Sequence, residues 1–270
     1  ASGFDNILYT PNSKVHRKLT QLSFKNLLHP FQPFVMGQHS LSMKVAVEKN
    51  IKLIVGGDTY AERAVGGSFQ NTKYGDKHKD FLSSNDYEDL FFGGVHIKDL
   101  TKYGISKKDL HFYLPLKRDI LEKSKIRNLD IPHFINYNPQ SNYYFAIENS
   151  GFKVNPDGRS EGTYTKYTSL DDKIDGLHYY TWFIKTGRGR ATEDAGIEIR
   201  NEIITRDEGV SLVKKFDGEF PKKYFKEILE YLSIDEIEFN KIIDKFRPEH
   251  LWKKVNNKWE LKSPVWKDKD

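Results

Sequence analysis

The first ninety residues alternate short apolar runs with segments of helical periodicity. The run Phe4–Tyr9 predicts a strand, and apolar side chains then recur at helical spacing from Val15 to Leu27. A second helical pattern follows, and Ile51–Val55 is a continuous apolar run of the kind buried on both faces of a parallel sheet. This alternation predicts a doubly wound, Rossmann-like sheet in which the two runs are neighbouring parallel strands.

The second run leads into a glycine pair followed by Asp58. Because ligands of doubly wound sheets bind at the carboxyl ends of strands, Gly57 and Asp58 are candidate cofactor contacts. Asp58 is also typical of a turn residue beside two glycines, and this alternative stays open. The polar stretch Gly66–Asp89 predicts a loop or lid, and Ile131–Tyr137 predicts a further buried strand.

A second candidate site follows the aromatic run Tyr179–Ile184, which predicts a strand. The run leads into Lys185 and a turn that contains Gly187, Arg188, Gly189 and Arg190, and Thr192 is a good N-cap for a helix after it. Glycines let the backbone approach a ligand, and three cations beside a helix N-terminus favour an anion site. The alternative is a basic surface turn whose arginines pair with nearby acids.

The polar segment Asn155–Asp175 precedes that run. Hydroxyl, carboxylate and tyrosine side chains of such a loop can position a sugar. Two of its acids could instead hold a magnesium ion on a nucleotide, and a solvated loop is the third possibility. The candidate side chains of this segment are Tyr164, Lys166, Asp171, Asp172 and Asp175, with His178 just beyond it.

The sequence pattern of the last eighty residues predicts helices. Thr205–Glu208 and Ser233–Glu236 are capping boxes, each followed by apolar positions at helical spacing, and three tryptophans near the end would anchor this region. We therefore divide the chain into an α/β domain over residues 1–190 and a helical region over residues 191–270.

Composition narrows the functional classes. The chain has 270 residues, no cysteine and a formal net charge of +5 in which 43 cations are mixed with 38 acids. This mild charge favours phosphate-bearing ligands over a nucleic-acid groove, and the absence of a long apolar run predicts no membrane span and a cytoplasmic protein. The scattered histidines show no metal-ligand spacing, so no metal is assigned to them.

The residues also carry a family resemblance. The stretch Glu161–Pro221, which includes TGRGRATEDAGIEIRNEIITRDEG, resembles the C-terminal half of the N-acetyl sugar amidotransferases of the PP-loop ATP pyrophosphatase superfamily. Further similar stretches are Thr10–Thr20, His29–Gln38, Asn138–Phe152 and Ile242–Lys254.

This resemblance implies a fold and a chemistry. The fold would be a partial PP-loop sheet, related to the adenine nucleotide alpha hydrolases, with a helical C-terminal appendage. The enzyme would convert an acetamido group of a bacterial surface sugar to an acetamidino group, using ATP, with Mg²⁺ as a further cofactor, and ammonia from a glutaminase-type partner. Lys166, Asp171, Asp172, Lys185 and Arg190 would carry the catalysis.

The sequence departs from the family in one respect. The family's cysteine-bearing N-terminal segment and its SGGKDS phosphate loop are absent, and the glycine pair before Asp58 lacks the serine and lysine of that loop. Two functional classes stay open: an amidotransferase represented by its C-terminal part, which alone is expected to be inactive, and a non-catalytic sugar- or nucleotide-binding subunit.

Overall fold

The structure, a computed structural model, describes residues 3–57 and 83–267. These residues form a mixed α/β protein with small parallel sheets. The doubly wound, Rossmann-like arrangement stays a prediction. Within the described ranges, no helix is both long enough and apolar enough to cross a membrane. The chain divides into two compact units, of which one contains residues 9–27 and 31–137, and the other residues 1–8, 28–30 and 138–270.

The first unit begins with two helices, as the sequence predicts. Helix α1 (Ser13–Leu27) is followed by α2 (Gln32–Glu48), which begins next to a proline. The buried face of α1 packs on the glycine turn between Phe92 and Val95, where a Cβ atom at Gly93 would lie 2.7 Å from the Cβ atom of Leu22. The remaining elements are β1 (Leu53–Gly56), β2 (Ser83–Ser84), β3 (Phe91–Phe92), β4 (Val95–His96), β5 (Leu116–Lys117), α3 (Arg118–Ser124) and β6 (Arg127–Asp130), with 3-10 helices at Ile97–Tyr103, Lys107–Leu110 and Ile131–His133.

Two strand predictions outside the aromatic run Tyr179–Ile184 are wrong. The run Phe4–Tyr9 has no regular structure, and the side chains of Phe4 and Leu8 are 87% and 85% exposed. Strand β1 pairs in parallel with β6 instead, with Leu53 opposite Arg127. The predicted strand Ile131–Tyr137 begins as a 3-10 helix, because Pro132 has no N–H to donate to a ladder and the strand ends at Asp130.

The second unit is mostly helical. It contains α4 (Pro139–Ser150), α5 (Asp175–Thr186), α6 (Arg190–Arg200), α7 (Arg206–Phe216), α8 (Phe225–Leu232), α9 (Glu236–Lys245) and the hairpin β7 (Trp252–Val255) and β8 (Lys258–Leu261). Helices α6 and α7 pack closely because Gly209 has no side chain: a Cβ atom there would lie 2.7 Å from Ile199 Cδ1. Trp252 anchors the hairpin by donating from Nε1 to the backbone oxygen of Ile184 at 2.8 Å.

The aromatic run Tyr179–Ile184 is helical, so its prediction as a strand is wrong. It lies inside α5, where Leu177, Thr181 and Ile184 are buried at helical spacing. This packing outweighs the strand preference of aromatic and branched residues. Gly187 ends the helix with a left-handed conformation (φ 71°) that glycine adopts without strain. The predicted capping box Thr205–Glu208 is confirmed at the start of α7. The predicted box Ser233–Glu236 is wrong in its capping residue, because Ser233 ends α8 and Asp235 is the N-cap of α9. The predicted division at residue 190 stays a prediction.

Candidate functional site

Helix α5 carries a polar stripe along one side. Asp175, His178 and Lys185 occupy positions i, i+3 and i+10, with Trp182 between them at i+7. In an α-helix these spacings place all four side chains on one face. The predicted strand Tyr179–Ile184 would have separated Asp175 and His178, before it, from Lys185, after it. The helical fold therefore gathers three residues that the sequence had proposed separately.

A second histidine stacks on this stripe. The rings of His29 and His178 lie 5.4 Å apart between centroids and are inclined by 18°, and the Trp182 ring lies 6.2 Å from that of His178. His29 stands between α1 and α2 and belongs to the same compact unit as α5. Its Nδ1 atom is shielded from solvent and makes no hydrogen bond to a described residue. A polar atom in that position is suited to a ligand.

Both imidazoles are neutral at physiological pH. Burial, followed by the charges of His29, Lys185 and Arg190, lowers the pKa of His178 to about 3. Burial, followed by the charge of Lys185, lowers the pKa of His29 to about 4. Burial also lowers the pKa of Lys185. The stripe on α5, together with His29 and Arg190 beside it, thus combines two neutral imidazoles with a lysine and an arginine.

Arg190 is the first residue of α6 and is only 14% exposed. Its Nε atom donates to Asp194 Oδ1 at 2.8 Å, one helical turn further on, and its guanidinium lies 5.5 Å from the centroid of the Tyr179 ring. The other oxygen of Asp194 accepts from Thr163 at 2.8 Å. Neither terminal amino group of Arg190 donates to a described residue. The side chain is therefore held rigidly through Nε, and its two outer groups can receive an anion.

Asp175 forms a cluster with His178, Lys185 and Arg190, and it is the acid of this cluster whose pKa lies near neutral pH. Burial and the neighbouring carboxylate of Asp172 raise its pKa to about 7, although Ser169 and Arg190 favour its charged form. The Ser169 hydroxyl also makes a hydrogen bond with the phenol of Tyr179, whose pKa burial raises to about 12. A carboxyl group that titrates near neutral pH can both donate and accept a proton.

The glycine turn before α6 is already bound to an acid of the chain. The backbone N–H of Gly189 donates to Asp217 at 2.8 Å, and that of Thr192 donates to the same carboxylate at 3.2 Å. The N–H of Ala191 donates to the backbone oxygen of Gly162 at 3.1 Å. The helix begins at Arg190, so Thr192 is not its N-cap.

These contacts bear on the predicted anion site. The amides of Gly189 and Thr192 do not fit a phosphate in this arrangement, because Asp217 takes the place of the anion. The sequence left two interpretations of the turn open, an anion site and a basic turn whose arginines pair with nearby acids. The bond between Arg190 and Asp194 fits the second. Arg188 is exposed, and cofactor contacts by Gly187, Arg188 and Gly189 stay predictions.

Only some side chains of the polar segment Asn155–Asp175 belong to the cluster. Lys166, Asp171 and Asp172 are exposed, and Asp172 accepts from the backbone N–H of Ile174 at 2.7 Å. Tyr164 donates its phenol to Glu198 at 2.8 Å, and burial followed by this hydrogen bond raises its pKa.

A magnesium ion would find few protein ligands here. No grouping of three or more histidine or acidic side chains suited to a metal occurs among residues 3–57 and 83–267. Nucleotide-bound Mg²⁺ needs only one or two carboxylates besides the phosphates, so a contact with Asp171 or Asp172 stays a prediction.

Four predicted site residues therefore lie together: Asp175, His178, Lys185 and Arg190. Gly57 belongs to the other compact unit, and Asp58 and the predicted lid between Gly66 and Asp89 fall, wholly or for the most part, outside the described residues. The sequence analysis missed several partners of the cluster. A helix beginning at Arg190 would have indicated Asp194 at i+4, whereas no local pattern indicates the long-range partners His29, Ser169 and Asp217.

Comparison with known protein families gives a match within the second half of the chain. Residues 161–265 match the family described as LPS biosynthesis protein WbpG-like, C-terminal domain. The matched segment contains the whole cluster except His29. It also includes the whole stretch Glu161–Pro221 that resembles the N-acetyl sugar amidotransferases, and it supports that resemblance broadly. A search of curated proteins found no match.

Proposed function

We propose that this chain is the sugar- and phosphate-contacting part of an ATP-dependent amidotransferase of bacterial lipopolysaccharide biosynthesis. The observation that carries the proposal is the gathering of Asp175, His178, Lys185 and Arg190 on α5 and at the start of α6. All four lie within the segment that matches the lipopolysaccharide biosynthesis family. The substrate would be an acetamido group of a surface-polysaccharide sugar, and the product an acetamidino group.

The overall reaction balances with ATP and ammonia. The sugar amide, ATP and ammonia give the sugar amidine, AMP and pyrophosphate, and the amide oxygen leaves in AMP. ATP supplies the activation of that oxygen as a leaving group. The ammonia would come from a glutaminase-type partner.

The cluster has the groups that this reaction needs. The outer amino groups of Arg190 and the ammonium of Lys185 would stabilise negative charge on a phosphate. Asp175, which titrates near neutral pH, would take a proton from the incoming ammonia. The neutral imidazole of His178 would hydrogen-bond the sugar or its carrier.

The second candidate is a non-catalytic binding or assembly subunit. It is favoured by the occupation of the α6 N-terminus by Asp217, which leaves phosphate contacts to side chains. The two functions differ in the role of Asp175. A binding subunit needs affinity for the sugar, but amidine formation would not depend on the proton carried by Asp175, whereas in the enzyme it would.

Deletion of the coding gene in its host tests the proposal. We expect the surface polysaccharide to lose acetamidino groups and to retain acetamido groups, a mass difference of one oxygen against one NH that mass spectrometry resolves. The intact gene should restore the amidine, and Arg190→Ala should not. The matched control is Arg206→Ala, since Arg206 is also the first residue of a helix but is exposed.

The outcomes separate the alternatives. An unchanged polysaccharide in the deletion strain would overturn the proposal. Loss of the amidine together with full restoration by both Arg190→Ala and Asp175→Asn would favour the binding subunit. Protein levels measured by immunoblot would show that a failure to restore is not a failure to fold.

A further inference from the structure

We propose that His29, His178 and Lys185 form a binding subsite for a phosphate group. The subsite deepens the proposed function, on which it rests for the role of Lys185, by adding the two histidines as phosphate contacts. Its residues come from two places, the segment between α1 and α2 and the polar face of α5, and they lie in one compact unit.

The geometry of the three side chains is the first argument. His178 and Lys185 stand seven residues apart on α5, two turns along the same face, and His29 stacks on His178 with 5.4 Å between ring centroids. The shielded Nδ1 of His29 makes no hydrogen bond to a described residue. Burying such an atom is unfavourable unless a ligand or water pairs with it, so this position is unusual for a purely structural histidine.

The charges around the histidines are the second argument. The groups that act on His178 are His29, Lys185 and Arg190, and the group that acts on His29 is Lys185. All of them are basic, and the acid on the same face of α5, Asp175, is about half protonated at neutral pH because its pKa is raised to about 7. The nearest acid to Arg190 is Asp194, which is bonded to Arg190 and to Thr163. The imidazole pair therefore lies in a region of positive potential, which attracts a phosphate dianion.

Phosphate binding would change the protonation of the pair. Both imidazoles are neutral because burial and neighbouring cations lower their pKa, to about 4 for His29 and about 3 for His178. A bound dianion favours the protonated form, so it should raise both pKa values.

Nuclear magnetic resonance of the histidine rings in the full chain tests the subsite. Inorganic phosphate and pyrophosphate would be titrated separately, with acetate as an anion of a different class. We expect the signals of His29 and His178, assigned by their loss in His29→Gln and His178→Gln, to shift on addition of phosphate. The signal of the exposed His111 is the internal control and should not move.

Calorimetry supplies a second readout that does not require a histidine variant. Lys185→Gln should weaken pyrophosphate binding by about tenfold, whereas the exposed Lys226→Gln should change it by less than about twofold. A nucleotide-linked acetamido sugar and ATP, added in separate experiments, distinguish the two sources of a phosphate. Equal effects of the two lysine variants, or ring shifts at His111 as large as those at His29 and His178, would overturn the subsite.

Failure here is distinct from failure of the proposed function. If phosphate does not perturb the histidine pair but gene deletion removes the amidine, only the subsite is wrong. If phosphate binds as expected but the polysaccharide is unchanged, the subsite stands and the amidotransferase does not.

Discussion

Asp175 is the residue whose protonation depends most directly on the fold among those of the cluster. Its pKa rises from 3.8 to about 7 because burial and the nearby Asp172 disfavour the charged form. The folded chain therefore holds a proton that the unfolded chain releases between these values. Taken by itself, this carboxyl group lowers the free energy of unfolding as the pH rises across that window. Folding lowers the pKa of His29 to about 4 and that of His178 to about 3, which acts in the opposite direction, so the contribution of Asp175 is the difference between the wild type and a variant without the carboxyl group.

Asp175→Asn should remove this dependence. The neutral amide keeps the shape of the protonated acid, so the variant should lack the decrease in unfolding free energy, which amounts to up to about 4 kcal/mol across the window. Urea unfolding measured between acidic and slightly alkaline pH gives the result. Asp171→Asn is the control because Asp171 is exposed. Parallel stability curves for wild type and Asp175→Asn would contradict the assignment.

A second prediction at the scale of single residues concerns Gly218. Its φ is 76°, and a Cβ atom there would lie 2.3 Å from Cε1 of the Phe183 ring. Gly158 has a similar φ of 90° but nothing within 4 Å of the added atom. Both alanine variants meet the same backbone strain, so the difference between them isolates the clash. We expect Gly218→Ala to cost about 1–3 kcal/mol more than Gly158→Ala, measured by chemical unfolding. Equal losses would show that Phe183 moves aside freely.

At the scale of elements, α6 is held by an acid from the end of α7. The first turn of any helix leaves backbone N–H groups without partners inside the helix. The Asp217 carboxylate accepts from two of these groups, at Gly189 and Thr192, and from the Thr192 hydroxyl. This contact fixes the start of the helix, and therefore the position of Arg190.

Asp217→Ala should loosen that helix end. Losing three hydrogen bonds to a carboxylate should cost about 2–3 kcal/mol, and amide hydrogen exchange should increase at Gly189 and Thr192. Asp207→Ala is the matched control, because Asp207 lies in the first turn of α7 and is exposed, so its loss should cost less than about 1 kcal/mol. Unchanged exchange at Gly189 would contradict the capping role.

Elements with strong local signals could be predicted from the sequence. Helix α1 shows clear periodicity, and α7 and α9 begin at Thr205 and Asp235, whose side chains accept from backbone N–H groups as capping residues do. Helix α5 could not be predicted this way. Its aromatic residues favour a strand locally, and only the packing of residues such as Leu177 and Ile184 makes it a helix.

The candidate site shows the same limit. The types of residue that form it could be selected from the sequence, because basic and acidic side chains cluster between residues 166 and 190. Which of them meet depends on helical phase: α5 brings Asp175, His178 and Lys185 to one face, while Lys166 and Asp171 stay exposed on the preceding loop. The contribution of His29, almost 150 residues before His178, is purely tertiary.

At the scale of the whole molecule, all the phosphate contacts that we propose are made by side chains. The first-turn amides of α6 are bonded to Asp217 and to Gly162, and the 270 residues contain no SGGKDS loop. An ATP pyrophosphatase must hold the β- and γ-phosphates while the α-phosphate reacts, and a glycine loop with a lysine is the usual means. The cluster around Arg190 can contribute side-chain contacts to a phosphate, but it lacks the glycine loop with a lysine that usually holds the β- and γ-phosphates.

The chain of 270 residues, made alone, should therefore not release pyrophosphate in a sustained, sugar-dependent reaction. The assay supplies ATP, ammonium and a nucleotide-linked acetamido sugar, and it follows pyrophosphate enzymatically. Ammonium replaces the glutaminase partner, so a missing partner does not explain a negative result. The same chain should still bind the sugar nucleotide in calorimetry, which shows that it is folded and that its side-chain contacts are intact. Addition of a segment bearing the SGGKDS loop should restore release, and Arg190→Ala should abolish the restored activity. Sustained release by the isolated chain would mean that its side chains alone hold all three phosphates.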